Sequence, residues 1–296
     1  MRLSQVIPQF ERQMAANGRS SHTRSAYLRD LRALSRWMGE EADFSTITPD
    51  HLARFLISDM VLCTPTGQPR AAISVNRTKS ALRSFFAFCV ESGFIRENPA
   101  RLIRSSPARA KEPSTLEPGE IERIRAVLAE KSGPLADRDR LTFELLLGTG
   151  IRLGSLVGLN WGDVDLEACT LQITAKGGGR ERVFLNPQLC EMLRHHLAES
   201  APQSPCGPHT PVFRSKSGRR LGARQIQLNF ARWLSQAGIT RPFSIHSLRH
   251  TFATQLYRKT GDLYLVQRAL GHREIMTTEI YARVSDDAVR RAVEAV

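Results

Sequence analysis

The sequence predicts a mainly α-helical protein with a small antiparallel β-sheet, divided into two domains. Apolar residues recur at helical spacing over most of the chain, whereas strand-like alternation is confined to residues 171–174 and 181–185, on either side of a glycine-rich tip. A proline-rich polar segment at 104–118 divides the helical pattern in two. With 296 residues, the chain is long enough for a buried core in each domain.

The first domain, residues 1–103, is predicted to be a bundle of four helices. Helical spacing of apolar residues places these helices at about 4–17, 22–38, 49–60 and 74–92. Glycines follow the first, second and fourth segments, as is common where helices end. Thr48-Pro49-Asp50 is a start signal for the third helix, because it supplies a capping hydroxyl and a proline at the first helical position.

Residues 104–118, with the sequence RSSPARAKEPSTLEP, are predicted to be a basic linker. The segment combines three prolines and three basic side chains with small polar residues. A surface loop within a single domain is the alternative interpretation. With the boundary placed here, the second domain spans residues 119–296.

The second domain is predicted to mix helices with a hairpin. Helices at about 118–130 and 136–147 come first, and Arg152 opens a short helix after a glycine-containing turn. The strands around AKGGGR form the hairpin, and Val212 and Phe213 fit another short strand. The remaining helices are expected at about 187–198, 223–237, 247–259, 263–270 and 277–282, with an amphipathic helix in the final DDAVRRAVEAV.

The charge of the chain indicates a polyanionic partner. The formal net charge is +13 and the pI is about 10.3, which is typical of proteins that bind nucleic acids. The first domain alone carries 14 basic and 9 acidic residues between Arg2 and Arg101. An acidic membrane surface is the alternative partner.

The location and redox state are also predicted from composition. The sequence contains no apolar run of signal-peptide or membrane-spanning length, so we expect a soluble, cytoplasmic protein. Its five cysteines are widely spaced and form no C-x-x-C pair. We therefore expect reduced cysteines, with neither a disulfide framework nor a zinc module.

The stretch 243–284 concentrates side chains that bind phosphate or move protons. It contains His246, Arg249, His250, His272 and Tyr281 within about forty residues. Each of them alone has an ordinary structural explanation, such as an ion pair, a satisfied polar contact or a place in the core. A packed core does not require all of them together.

Together with two earlier segments, this stretch resembles the tyrosine recombinase family, which includes the lambda-integrase and Xer-like recombinases. The matching segments are TGIRLGSL with Arg152, TAKGGGRERV with Lys176, HSLRHTFAT with His246 and Arg249, and LGHREIMTTEIY with His272 and Tyr281. Their order and spacing match the family, including the nine-residue step from His272 to Tyr281. The resemblance implies a helical, core-binding N-terminal domain and an α+β catalytic domain.

The residue types agree with phosphodiester chemistry. Phosphate oxygens gain negative charge during attack, and Arg152 and Arg249 can each present a planar pair of donors to them. His272 is expected to donate a further hydrogen bond. A tyrosine is a weak nucleophile while protonated, with a reference pKa of about 10, so Tyr281 needs a proton acceptor, for which His246 is the candidate.

The resemblance implies that Lys176 is the general acid that protonates the leaving 5'-oxygen; a solvated turn lysine is the alternative for this residue. The expected product is a 3'-phosphotyrosyl link, which preserves the bond energy and allows rejoining without ATP. No metal or cofactor is expected, since the sequence has no G-x-x-x-x-G-K loop and no spaced carboxylate and histidine set. The implied function is site-specific recombination of duplex DNA by a tetramer, through a Holliday junction.

One position departs from the family pattern. The resemblance implies an acidic residue three places after the first arginine, where it would brace neighbouring groups, but Ser155 occupies that place. A type IB topoisomerase and a DNA-bending architectural protein are the alternative functions. The C-terminal helix is implied to dock on a neighbouring subunit, with packing on its own domain as the alternative.

Overall fold

The computed structural model describes residues 2–39, 42–107, 114–174, 178–200 and 207–271. Its contacts divide the chain into two compact units, Met1–Ala110 and Lys111–Val296. The first unit is built from helices, and the second combines helices with a three-stranded antiparallel sheet. The predicted fold class is therefore confirmed. The helices predicted at 277–282 and in the last eleven residues lie outside the described residues.

In its described residues, the first unit contains one more α-helix than the sequence predicts. Its helices are α1 (Leu3–Ala16), α2 (Ser21–Met38), α3 (Pro49–Ile57), α4 (Asp59–Leu62) and α5 (Ala72–Glu91). The third predicted helix is divided in two, because Ser58 has an extended backbone, with ψ of 156°, and its Oγ donates to the carbonyl of Phe55 at 2.7 Å. A short 3-10 turn, Phe44–Thr46, joins α2 to α3.

Aromatic rings fill the core of the first unit. Phe44 stacks on Phe86 at a centroid distance of 5.9 Å, and Phe10 meets Phe85 edge to face at 5.4 Å. The same unit contains an ion pair between a buried carboxylate and a half-buried guanidinium.

That ion pair joins α2 to α5. The guanidinium of Arg77 donates two hydrogen bonds to Asp30, at 3.0 and 3.1 Å. The carboxylate of Asp30 is buried, so this bidentate contact offsets the cost of removing its charge from water.

The start of the predicted linker is attached to α5. Asn76 exchanges two hydrogen bonds with the backbone of Ser106, at 2.8 and 2.9 Å, and Lys79 donates to the Ser106 hydroxyl at 2.8 Å. Arg83 donates to the carbonyl of Ile103 at 3.2 Å. Residues 103–106 are thus ordered against the first unit.

The second unit contains seven α-helices and three strands in its described residues. Their bounds are α6 Pro118–Ala129, α7 Pro134–Thr149, α8 Leu153–Gly158, β1 Val164–Asp165, β2 Thr170–Thr174, β3 Arg180–Phe184, α9 Pro187–Ser200, α10 Ala223–Gln236, α11 His246–Thr260 and α12 Leu263–Leu270. Helix α7 is the centre of the core, because it packs against α6, α9 and α11. Its side chain Phe143 is fully buried, edge to face with Trp233 of α10.

The sheet has the order β1-β2-β3, and every pairing is antiparallel. Strands β2 and β3 are the predicted hairpin, with Leu171 opposite Val183 on the buried face. The sequence did not reveal β1, which is two residues long. The strand expected at Val212 and Phe213 does not form: both side chains are buried, but the backbone makes only isolated bridges on either side, at Pro211 and Arg214.

A disulfide corrects the expectation of reduced cysteines. Cys169, in the turn before β2, is bonded to Cys190 in the first turns of α9, with their Cα atoms 5.6 Å apart. The two residues are 21 positions apart in the chain and meet because the hairpin returns the backbone to its starting point. Cys63 and Cys89 are free, and burial raises the pKa of the Cys89 thiol to about 12.

Across the described part of the chain, none of the helices combines the length and apolar character needed to cross a lipid bilayer.

Candidate active site

Three of the six predicted site residues lie in the described structure, and it brings them together. Arg152 occupies the position before α8, His246 is the first residue of α11, and Arg249 follows one turn later. The charges of Arg249 and Arg152 both act on His246. Lys176, His272 and Tyr281 fall outside the described residues.

Arg249 is buried, and two backbone carbonyls hold its guanidinium. Nη1 donates to the carbonyl of Gly150 at 2.6 Å, and Nη2 donates to the carbonyl of Leu270 at 2.6 Å. Gly150 lies two residues before Arg152, and Leu270 lies two residues before His272. The side chain of Arg249 therefore joins the backbone segments that carry two other predicted site residues.

The turn at Gly150 permits this contact. Its φ of 62° is in the left-handed region, where glycine carries no steric penalty. A β-carbon at this position would overlap the ring of Phe252 and lie 3.1 Å from Leu270. Side chains of α11 and α12 thus approach the backbone at position 150 too closely for a residue with a side chain.

The start of α11 is fixed by hydroxyl groups. Ser247 accepts a hydrogen bond from the backbone of Ser244 at 3.2 Å, and Thr251 donates to the carbonyl of Ser247 at 2.8 Å. Thr251 also accepts from the backbone of Leu116 at 2.9 Å. The end of the predicted linker is thus bound to the helix that carries His246 and Arg249.

Two imidazoles lie side by side on α11. The rings of His246 and His250 are 5.3 Å apart and perpendicular, with an interplanar angle of 89°. The pKa of His246 is lowered by desolvation and then by the charges of Arg249 and Arg152, although part of the residue is exposed. Desolvation, His246 and Arg249 lower the pKa of His250 to about 4. His246 is therefore suited to accept a proton near neutral pH.

The hairpin meets the end of α12. The carboxylate of Glu181, on β3, packs against Gly271, so that a β-carbon on this glycine would overlap it. Gly271 ends α12 with φ of 60° and immediately precedes His272. The strand that follows Lys176 and the residue that precedes His272 are therefore in contact.

Ser155 lies half-buried in α8, in the turn that Arg152 begins. The far end of α8 is held by Arg220, whose Nη1 donates to the carbonyl of Val157 at 2.7 Å and whose Nη2 donates to the Asn160 side chain at 2.6 Å. Among the described residues, no group of three or more His, Cys, Asp or Glu side chains is arranged to hold a metal ion.

Sequence reasoning missed the residues that support this site. The carbonyls of Gly150 and Leu270 leave no side-chain signal, and the contact of Glu181 depends on the hairpin register. The glycines at positions 150 and 271 were the available signs of a close approach.

Comparison with known proteins shows the family of the chain. Residues 114–288 match the phage integrase family, and residues 7–93 match the phage integrase N-terminal SAM-like domain. The chain belongs to the phage integrase family. It is therefore a site-specific recombinase of the tyrosine type.

Its relatives include Xer recombinases. The tyrosine recombinase XerC of Xylella fastidiosa (strain 9a5c) is 33% identical over 280 residues, which cover 94% of this chain and 91% of the relative. The tyrosine recombinase XerD of Lacticaseibacillus casei is 32% identical over 275 residues, covering 91% and 90%.

Solved recombinase structures share the fold of this one. The XerH recombinase bound to palindromic difH has a TM-score of 0.76 at 24% identity, covering 94% of this chain and 81% of that chain. A lambda integrase dimer bound to a COC' core site has a TM-score of 0.71 at 23% identity, covering 94% and 97%. At these identities the likeness establishes the fold.

Proposed function

We propose that this recombinase cuts and rejoins duplex DNA at specific sites through a 3'-phosphotyrosyl intermediate on Tyr281. The observation that carries the proposal is the buried guanidinium of Arg249, fixed by the carbonyls of Gly150 and Leu270. A donor held in place before the reaction needs no reorganisation when negative charge develops on a phosphate. These two bonds also tie together the segments that lead to Arg152 and His272.

In the proposed reaction, the phenol of Tyr281 transfers its proton to His246 and attacks the phosphorus. The bond from phosphorus to the 5'-oxygen breaks, and Lys176 supplies the proton that this oxygen takes up. Arg152, Arg249 and His272 stabilise the charge on the non-bridging oxygens. A 5'-hydroxyl from a second duplex then reverses the step, so the reaction consumes no ATP and requires no metal.

We also propose a tetramer on two recombination sites, with strands exchanged in pairs through a Holliday junction. Both units would contact the duplex, one on each face. A protein that binds chromosomal DNA in this way would be associated with the nucleoid. The net charge of +13 supports a large contribution from phosphate contacts. Binding should therefore weaken steeply as salt concentration rises.

A nicked suicide substrate tests the chemistry. The wild type should form a covalent adduct with DNA, while Tyr281→Phe should bind the same substrate and form none. If Tyr281→Phe still forms an adduct, or if the wild type forms none, the proposed mechanism is wrong. An architectural protein would bend DNA without any adduct.

Incubation with supercoiled plasmid DNA, followed by analysis of the products, separates recombination from topoisomerase activity. A recombinase should act at a specific sequence and yield exchanged products from two sites. Relaxation of supercoils by a monomer without site preference would indicate a type IB topoisomerase instead.

A further inference from the structure

The described structure contains a second histidine beside the proposed proton acceptor. His250 follows His246 by four residues on α11, so both rings lie on the same side of the helix. Their centroids are 5.3 Å apart and their planes perpendicular, a favourable arrangement for aromatic pairs. This contact would restrict the orientations that the otherwise exposed ring of His246 can adopt.

We propose that His250 is a positioning residue, which holds the imidazole of His246 in a neutral, oriented state ready to accept the proton of Tyr281. The inference rests on the proposed function, because it assigns His250 a role relative to His246 as the base. His250 itself need not touch the DNA or exchange a proton.

Near neutral pH, His250 does not act through its own charge. Its pKa is lowered to about 4, so the ring is neutral at the pH values where the base is neutral and active. A neutral ring acts on its neighbour through packing and exclusion of water. Desolvation is also the largest cause of the lowered pKa of His246, and His250 is a packed ring next to it.

Among the described residues, the arginines whose charges act on the pair are Arg249 and Arg152. Helices α7 and α12 pack against α11, and Arg152 acts on His246 from the start of α8. Arg249, on α11 itself, acts on both rings. Both arginines favour neutral imidazoles, so loss of His250 would leave this electrostatic effect on His246 intact while removing the ring that packs against it.

The direction of the expected pH shift follows from the protonation state in which His246 reacts. A proton acceptor works only while neutral, so the rate of adduct formation falls at pH values below the pKa of the base. Removing His250 would hydrate His246 and raise its pKa toward the ordinary value. The acid limb of the pH profile would then move to higher pH.

The experiment measures single-turnover adduct formation on a nicked suicide substrate between pH 5 and 9. His250→Ala should move the midpoint of the acid limb upward by about 0.5 to 1 unit. Its rate should fall by about threefold or more near pH 6 and by less than about twofold at pH 8.5. His250→Phe retains a packed aromatic ring without a titratable group and should keep the acid limb close to that of the wild type.

Two controls separate the possible failures. His246→Ala should abolish the acid limb, and Tyr281→Phe should abolish the adduct. If the adduct depends on Tyr281 but His250→Ala lowers the rate equally at every pH, the role of His250 is structural and this inference is wrong. If Tyr281→Phe still forms the adduct, the proposed function fails first. Should His250→Ala not fold, as judged by thermal unfolding, His250→Gln replaces it with the same expected shift.

Discussion

The carboxylate of Glu181, on β3, occupies the space that a β-carbon on Gly271 would need at the end of α12. We expect Gly271→Ala to displace the Glu181 carboxylate, the flexible end of its side chain, and to lower the rate of adduct formation by about threefold or more, because the contact lies beside the residue that precedes His272. Gly261→Ala is the matched control, since Gly261 also ends a helix with positive φ but has no neighbouring atom within 4 Å.

A second substitution identifies the cause. Adding Glu181→Ala to Gly271→Ala removes the overlap and should restore part of the lost rate. Equal losses in Gly261→Ala and Gly271→Ala would show that backbone strain, and not the contact with the hairpin, is responsible.

Gly150→Ala should destabilise the catalytic unit. The added methyl group would overlap Phe252, and φ of 62° is unfavourable for alanine, so we expect a loss of about 2–4 kcal/mol in the free energy of unfolding. Gly238→Ala, at φ of 67° with open space around it, should cost only about 1 kcal/mol. Denaturant unfolding of both variants measures the difference; similar losses would contradict the close approach of α11.

Arg249→Lys should reduce adduct formation by about a hundredfold or more, even though it retains the positive charge. The single ammonium nitrogen of lysine lacks the planar set of N–H donors with which a guanidinium can contact two carbonyls and a phosphate at once. Arg258→Lys, at the exposed end of the same helix, should change the rate by less than about threefold. If Arg249→Lys were as active as the wild type, charge alone would suffice at this position.

Reduction of the disulfide should lower the thermal stability of the catalytic unit. Closing the chain between Cys169 and Cys190 contributes about 3 kcal/mol in the chain-entropy model. Thermal unfolding with and without a phosphine reductant measures the effect. Cys63→Ser should melt as the wild type does and keep the sensitivity to reductant. An unfolding temperature that does not respond to the reductant would show that the bond does not stabilise the protein.

Ser155→Glu should leave the rate of DNA cleavage unchanged or raise it. The substitution restores the acidic residue of the family pattern in the half-buried turn that begins at Arg152. Single-turnover cleavage measures the rate. A loss of more than about tenfold would show that the site is built around the serine.

The sequence predicted the helices whose bounds follow from the spacing of apolar residues. It did not predict the features that depend on contacts between particular atoms or between distant parts of the chain. The spacing of apolar residues placed α1, α2, α5 and α12 within about two residues of their observed ends. It did not reveal the break at Ser58, which a single hydroxyl contact stabilises, or β1, which exists only through its pairing with β2. The same reason explains the missed disulfide.

Within the candidate site, the motifs indicated which side chains meet but not what holds them. Arg152 precedes His246 and Arg249 by nearly a hundred residues in the sequence, and the three lie close together in the fold. The partners of Arg249 are main-chain oxygens, which any residue could supply, so no pattern of side chains predicts them. The roles of Lys176, His272 and Tyr281 remain predictions.

The two carbonyls that bind Arg249 lie at the ends of helices. Gly150 terminates α7, and Leu270 is the last residue of α12, so the guanidinium lies at the negative ends of two helix dipoles. Burying a cation costs free energy, and the two carbonyls at these helix ends lower that cost. The protein can therefore hold this cation ready before any DNA arrives, and the residue proposed to bind the phosphate also fastens two helices. Stability and activity should decline together when Arg249 is replaced.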